Sequence, residues 1–278
     1  MSITTSARIR RVMALTDEAH QIVRDAVTAH SGGRKIVATC ILFSGGNDST
    51  VLAHMFRRTA THAIHANTGI GIEQTRQFVR DTCAEWELPL IEVHGESYRD
   101  MVLERGFPGP AMHWKCYTRL KERALDKARH ELGIANKRKV CALFLAGRRR
   151  EESTRRKGIE LHERDGTVIW ASPLANWTKQ DLNTYRAMYR GCPTNLVSEL
   201  LHMSGECLCG AFAHPGELDE IGMWFPAVKA EIEALQDEVR AAGHVEPLCT
   251  WGHGEGRRSR SGRLCSSCDA ATTPSFGT

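Results

Sequence analysis

"ILFSGGNDSTVLAHMF", residues 41–56, decides how the rest of the chain is read. An apolar run ends in Ser44-Gly45-Gly46-Asn47-Asp48-Ser49-Thr50, and a helix-forming stretch, "DSTVLAHMFRRTA", follows. A strand feeding a glycine-rich turn and then a helix points several backbone N–H groups into one concavity, with the helix dipole behind them. Glycines let the backbone approach an anion closely, and Ser44, Ser49 and Thr50 add hydroxyl donors. A phosphate or pyrophosphate suits such a cup. Asp48 suits it only if Mg²⁺ stands between carboxylate and phosphate. The plainer alternative is a helix start at which Asp48 and Ser49 serve as ordinary caps.

Outward from this turn, apolar spacing predicts an N-terminal helix from about Ala7 to His30 through Val12, Leu15, Ala19, Ile22, Val23 and Ala26. "RKIVATCILF", "THAIHAN", "LPLIEVH", "KVCALFLAG" and "GTVIWASPL" read as strands. "GIEQTRQFVRDTCAEWE" and "TKQDLNTYRAMYR" read as helices, and a long helix-rich connection contains "KCYTRLKERALDKARHELG". Strands alternating with helices predict an α/β fold with a parallel, doubly wound sheet and ligands at the strand carboxyl ends. The expected division is an N-terminal helix over 1–33, a nucleotide-binding α/β domain over 34–190, a cysteine-containing lobe with a helix over 191–245, and a zinc-binding or flexible basic tail over 246–278.

Charges are scattered through "MSITTSARIRRVMALTDEAHQ", and no apolar run is long enough to span a bilayer, which predicts a cytoplasmic protein. In a reducing compartment the ten cysteines read as metal ligands or reactive thiols rather than disulfides. The net charge of +4 permits an anionic partner without demanding one.

Ser44-Gly45-Gly46-Asn47-Asp48-Ser49 matches the S-G-G-x-D-S signature of the PP-loop ATP pyrophosphatases, and the chain resembles the phosphoadenosine phosphosulfate reductase family within them. "NTGIGIEQTRQFV" is similar to that family's T-G-x-x-x-x-E-T-x-x-F segment. "AGRRREESTRR" is similar to its G-x-R-x-x-E-S-x-R segment, and "SPLANWTKQDLNTY" to its P-L-x-x-W-x-x-x-D-x-x-x-Y segment. The resemblance covers about two thirds of the chain. It implies a Rossmann-like, adenine nucleotide alpha-hydrolase-like fold in which residues 44–50 hold the ATP pyrophosphate and Asp48 lies near Mg²⁺. It also implies that Asn67, Thr68 and Gly69 lie near the adenine or ribose. Gly147, Arg148 and Arg150 would follow a strand end, where the guanidinium forks neutralise phosphate charge. Asp48, Arg148 and Arg150 are the catalytic candidates. A salt-bridged helix start is the other reading of the arginines, and Glu151 and Glu152 are expected to pair with neighbouring bases.

"SGECLCGAF" places Cys207 and Cys209 two apart beside glycines, in a turn able to aim two thiolates at one centre. Cys192 lies upstream, and Cys116 sits in "HWKCYTRLK", which resembles the C-x-x-R-K region where iron–sulfur members of the family supply cluster ligands. These four suit a [4Fe–4S] cluster, and zinc takes the same Cys₄ set. The resemblance favours the cluster. Cys249 and His253, followed by Cys265 and Cys268, have zinc-ribbon spacing; a redox or sulfur-carrying pair at Cys265 and Cys268 and an unstructured tail are the alternatives. Cys40, Cys83 and Cys141 read as packing thiols.

Two departures from the reductases bear on the chemistry. Reductases of this family bind an already activated sulfate ester, and their loop usually lacks the full S-G-G-x-D-S. They also carry a catalytic cysteine in a C-terminal E-C-G-x-H segment, for which Cys265 in "GRLCSSC" is a loose stand-in. The intact loop argues that ATP is split to AMP and pyrophosphate and that a sulfur donor then displaces AMP from an activated acceptor, with a nucleic acid or nucleotide as that acceptor. The runner-up is a sulfonucleotide reductase, and a nucleotide-binding module without turnover is the reading from a different class. Arg257, Arg258, Arg260 and Arg263, with Lys137, Arg138 and Lys139, are candidates for contacts to DNA or RNA phosphates. A homodimer is compatible with all of this.

Overall fold

A computed structural model describes residues 3–153 and 156–254. The chain divides into two compact units that interleave in sequence. Unit 1 gathers the described parts of Met1–His65, Gln77–Glu92 and Asp126–Asn195; unit 2 gathers Ala66–Arg76, Val93–Leu125 and the described part of Leu196–Thr278. The contiguous division expected from the sequence differs from this. The stretch between the third and fourth strands folds largely into unit 2, and composition carries no mark of such an excursion.

The sheet has six strands: β1 (Lys35–Leu42), β2 (His62–Asn67), β3 (Leu90–His94), β4 (Val140–Leu145), β5 (His162–Asp165) and β6 (Val168–Ala171). Their order is β3-β2-β1-β4-β6-β5. β1 pairs parallel with β2 and β4, and β4 pairs parallel with β6. Only β5 is shown antiparallel, against β6. The central strands are apolar along their buried lengths, as a sheet covered on both faces requires. β5 reads "HERD", half-exposed throughout, and no apolar alternation announces it.

In unit 1, helix α1 (Ile3–His30) packs against α7 (Lys179–Met188), β5 and β6. Its expected apolar face is buried at Val12, Leu15, Ala19, Ile22 and Ala26. Arg11 fixes the contact with a two-pronged ion pair to Asp181, at 2.9 and 3.1 Å. Asp181 also closes the capping box that starts α7 at Thr178. Helices α2 (Asn47–Phe56) and α3 (Glu73–Glu85) follow β1 and β2. The core holds Ile41, Phe43, Leu52, Phe56, Leu143 and Trp177.

Unit 2 contains α4 (Tyr98–Arg105), α5 (His113–Tyr117), a π-helical turn over Thr118–Glu122, then α8 (Leu196–Leu201), α9 (Glu217–Trp224) and α10 (Pro226–Ala241); α6 (Arg123–Glu131) starts in this unit and passes into unit 1 at Asp126. Helix α10 begins with the proline that suits a first helical turn. The core of unit 2 is built on Ile72, Tyr98, Val102, Leu120, Ile221 and Trp251. Among the described residues no helix is long and apolar enough to cross a membrane.

Candidate functional site

The turn after β1 is shaped by its own residues. Thr50 donates to the Gly46 carbonyl through both its backbone N–H, at 2.9 Å, and its hydroxyl, at 2.8 Å. Ser49 donates to the same carbonyl at 3.0 Å, and its hydroxyl stands 3.1 Å from that of Ser44. Gly46 is the N-cap of α2 and offers no side chain to cap it. The expected role of Asp48 and Ser49 as ordinary caps is therefore not what the turn uses them for. The Asn195 side-chain amide holds the Gly45 carbonyl at 2.9 Å, and Arg186 reaches the Asn47 side-chain oxygen at 3.3 Å. Gly147 lies against this helix start: a β-carbon there would stand 3.1 Å from the Ser49 amide nitrogen.

Asp48 faces an arginine. The Arg149 Nε donates to its Oδ2 at 2.6 Å, and the Arg149 side chain is almost fully buried. Arg149 also stands 3.4 Å from Glu151, whose carboxylate caps the Lys179 amide at 2.9 Å. Glu152 pairs with Arg156. Burial pushes the Glu152 carboxyl up to about 7; Arg156 and Arg149 pull it down, and Asp48 adds to the rise. Three carboxylates and two guanidinium groups thus meet near the N-terminus of α2.

The two arginines expected at this site are engaged elsewhere in the fold. Arg148 donates to the Ser172 hydroxyl at 2.7 and 3.1 Å and lies over the Trp170 ring. Arg150 donates to the Ile159 carbonyl at 2.8 and 3.1 Å and to Asn176 at 2.8 Å. Arg149, between them, is the one on Asp48. The signal was available: the G-x-R-x-x-E-S-x-R spacing counted from Gly147 lands on Arg149 and Glu152. Nothing local marks Arg186 or Asn195.

In unit 2, the Asn67 side chain accepts the Gly69 amide at 2.9 Å, closing a tight turn at the end of β2. The Thr68 amide donates to the Glu206 carboxylate at 3.1 Å, and the Thr68 hydroxyl to the Glu206 carbonyl at 2.7 Å. Directly after Glu206, the Cys207 and Cys209 thiols share a hydrogen bond. That bond, with burial behind it, pushes the Cys207 thiol well up, and Lys121 opposes the rise. The Tyr98 hydroxyl donates to the Cys209 carbonyl at 3.0 Å. Burial and then Cys209, Cys116 and Cys207 hold its pKa well above the usual phenol value. Cys192 belongs to unit 1, where burial raises its thiol to about 11 against the pull of Arg186 and Arg57.

Three sulfur donors, Cys116 and Cys209 buried and Cys207 partly so, suit a soft metal centre in kind. Among the described residues, no group of three or more His, Cys, Asp or Glu side chains is arranged to hold a metal ion. Cys249 donates to Glu246 at 3.1 Å, and His253 Nε2 stands 3.1 Å from the Phe107 carbonyl. Cys265, Cys268 and the basic residues Arg257, Arg258, Arg260 and Arg263 lie outside the described residues. Cys40 and Cys83 are packing thiols pushed up to about 12 by burial, and burial raises Cys141 too.

The phosphoadenosine phosphosulfate reductase domain model matches residues 38–197, more than half of the chain. The fold is similar to that of phosphoadenylyl-sulfate (PAPS) reductase from Candida auris, at 19% identity over 72% of this chain and 93% of that one, with a TM-score of 0.46. It is similar to FMN adenylyltransferase from Candida glabrata in complex with FAD and inorganic pyrophosphate, at 11% identity over 72% of this chain, with a TM-score of 0.50; only 63% of that protein is spanned. A third similar structure is the U34-tRNA thiolase NcsA from Methanococcus maripaludis with its [4Fe-4S] cluster, at 15% identity over 86% of this chain and 83% of that one, with a TM-score of 0.45. Comparison with curated proteins gives no match. On the extent of the domain match and the motifs it contains, the chain belongs to the phosphoadenosine phosphosulfate reductase family.

Proposed function

We propose that the protein splits ATP into AMP and pyrophosphate and uses the activation to place sulfur in a nucleic acid or nucleotide. The reading is carried by Asp48 and Arg149, paired at 2.6 Å at the start of α2, whose N-cap is a glycine. A carboxylate that can hold Mg²⁺ and a guanidinium that can fork onto phosphate oxygens are what a triphosphate needs at such a helix end. An acceptor oxygen attacks the α-phosphorus, the bond to the β-phosphate breaks, and pyrophosphate leaves. A sulfur nucleophile then attacks the acceptor carbon, and AMP leaves with the oxygen. Arg149 takes up charge on the departing phosphates, and the first-turn amides of α2 orient them. Asn67, Thr68 and Gly69 are assigned to the nucleoside.

Cys116, Cys207 and Cys209 would hold a [4Fe–4S] cluster, with Cys192 the fourth thiol expected from the sequence. When bound, such a cluster supplies iron that accepts sulfur ligands. The family supports a second reading, reduction of phosphoadenosine phosphosulfate, which would release sulfite and no pyrophosphate.

The test is pyrophosphate release from ATP by anaerobically purified protein given a sulfur donor and candidate acceptors, with iron and sulfide analysis of wild type and Cys207→Ala. Pyrophosphate release, with iron lost in the variant, is the expected result. No pyrophosphate with any donor and acceptor sinks the ATP reading, and full iron and sulfide in Cys207→Ala sinks the ligand set.

A further inference from the structure

We infer that Glu206 is a positioning residue that makes the turn Asn67–Gly69 and the Cys207–Cys209 segment respond as one body. The inference rests on the proposed assignment of that turn to the nucleoside. Residues 204–208 lie along residues 68–75 in a ladder of short bonds. Ile72 N–H donates to Gly205 O at 2.7 Å, Leu208 N–H to Ile70 O at 2.6 Å, and the Thr75 hydroxyl to Ser204 O at 2.7 Å. The approach is so close that a β-carbon on Gly71 would stand 2.3 Å from the Glu206 carbonyl oxygen.

Within this ladder Glu206 acts twice on Thr68: its carboxylate accepts the backbone N–H, and its carbonyl accepts the hydroxyl. The carboxylate is held from behind by Lys121, at 3.1 Å; the Glu206 side chain is buried and that of Lys121 largely so. An ion pair mostly withdrawn from water keeps its geometry because little solvent competes for either charge. Any shift of Thr68 therefore reaches Cys207 through one peptide unit. Two sites tied to one rigid element influence each other by the same factor in both directions.

The test is the alkylation rate of Cys207 and Cys209 in protein freed of metal by a chelator, followed by mass spectrometry with and without ATP, beside ATP affinity measured by calorimetry on the same preparation. In wild type, ATP is expected to slow labelling by about tenfold. In Glu206→Ala the protein should still bind ATP, while the protection falls below about twofold. Glu206→Gln keeps an acceptor for the Thr68 amide and should restore part of the protection, which a merely structural role would not predict. Should Glu206→Ala fail to fold, Lys121→Met carries the test, with a partial loss of protection expected. Protection that persists undiminished in a folded variant overturns the inference, as does its absence in wild type that binds ATP. Failure of wild type to bind ATP at all is read by calorimetry alone, and it removes the proposed function together with this inference.

Discussion

The turn Ser44–Thr50 and the segment Ser204–Cys209 are both polar stretches laid against a core, and they are held in opposite ways. The first closes on itself through bonds that span three to five residues, with Asn195, Arg186 and Arg149 bracing it from a distance. The second is held by partners 129 to 138 residues away in sequence. A self-closing turn keeps its shape as a motif and can be read from a short string of letters. A segment held from afar is defined by residues that no local pattern connects.

The comparison breaks first at Asp48. If the self-closing turn is a phosphate cup, Asp48→Asn lowers the rate of pyrophosphate release by about 10²- to 10³-fold, the scale of losing one preorganised electrostatic contact in an active site. A wild-type rate would make the turn a scaffold only. Next, Arg149 and Arg150 should separate two kinds of loss. Arg149→Ala lowers kcat/KM for ATP by about 10²-fold. Arg150→Ala instead removes the bonds to Ile159 and Asn176, and shows as about 2 kcal/mol less stability in urea denaturation. The reverse outcome would return the site to the neighbours of Arg149.

The smallest expected effect is a pH signature of unit 1. Glu152 keeps a proton in the folded protein, between its ordinary value of 4.5 and about 7, that the unfolded chain has lost. Its contribution to stability therefore falls as pH rises through that window. Burial lowers His54 from 6.5 to about 4, with Arg57 adding to the drop, so its contribution rises with pH across that window. The two slopes oppose each other from about pH 4.5 to 6.5, each at most about 1.4 kcal/mol per pH unit. Urea unfolding across this range should show a steeper rise with pH in Glu152→Gln than in wild type. An unchanged slope would mean that Glu152 is ionised throughout.

Legibility in the sequence follows the same physics. The strands "KIVATCIL" and "VCALFL" announced themselves because both faces are covered, leaving no polar alternation to confuse them. The strand "HERD" did not, since an edge position asks little of its side chains. The apolar pattern places the start of α3 at Gly71, whereas it begins at Glu73, after the segment in which Ile72 N–H bonds to Gly205. Among three consecutive arginines composition offers no choice and only the motif spacing singles out Arg149; the three side chains meet different partners. Cys116, Cys207 and Cys209 were legible as thiols. Their shared relation to Tyr98 comes from the fold of unit 2.

The π-helical turn over Thr118–Glu122 gives one more consequence. Widening a helix by a residue offsets everything after it by about 100° from the α-helical frame. Lys121 lies inside that wide turn and meets Glu206 from there. Aim is set here by chain length as well as by side-chain identity. Shortening the stretch by a single residue would rotate the ammonium away from its carboxylate while leaving every functional letter of the sequence in place.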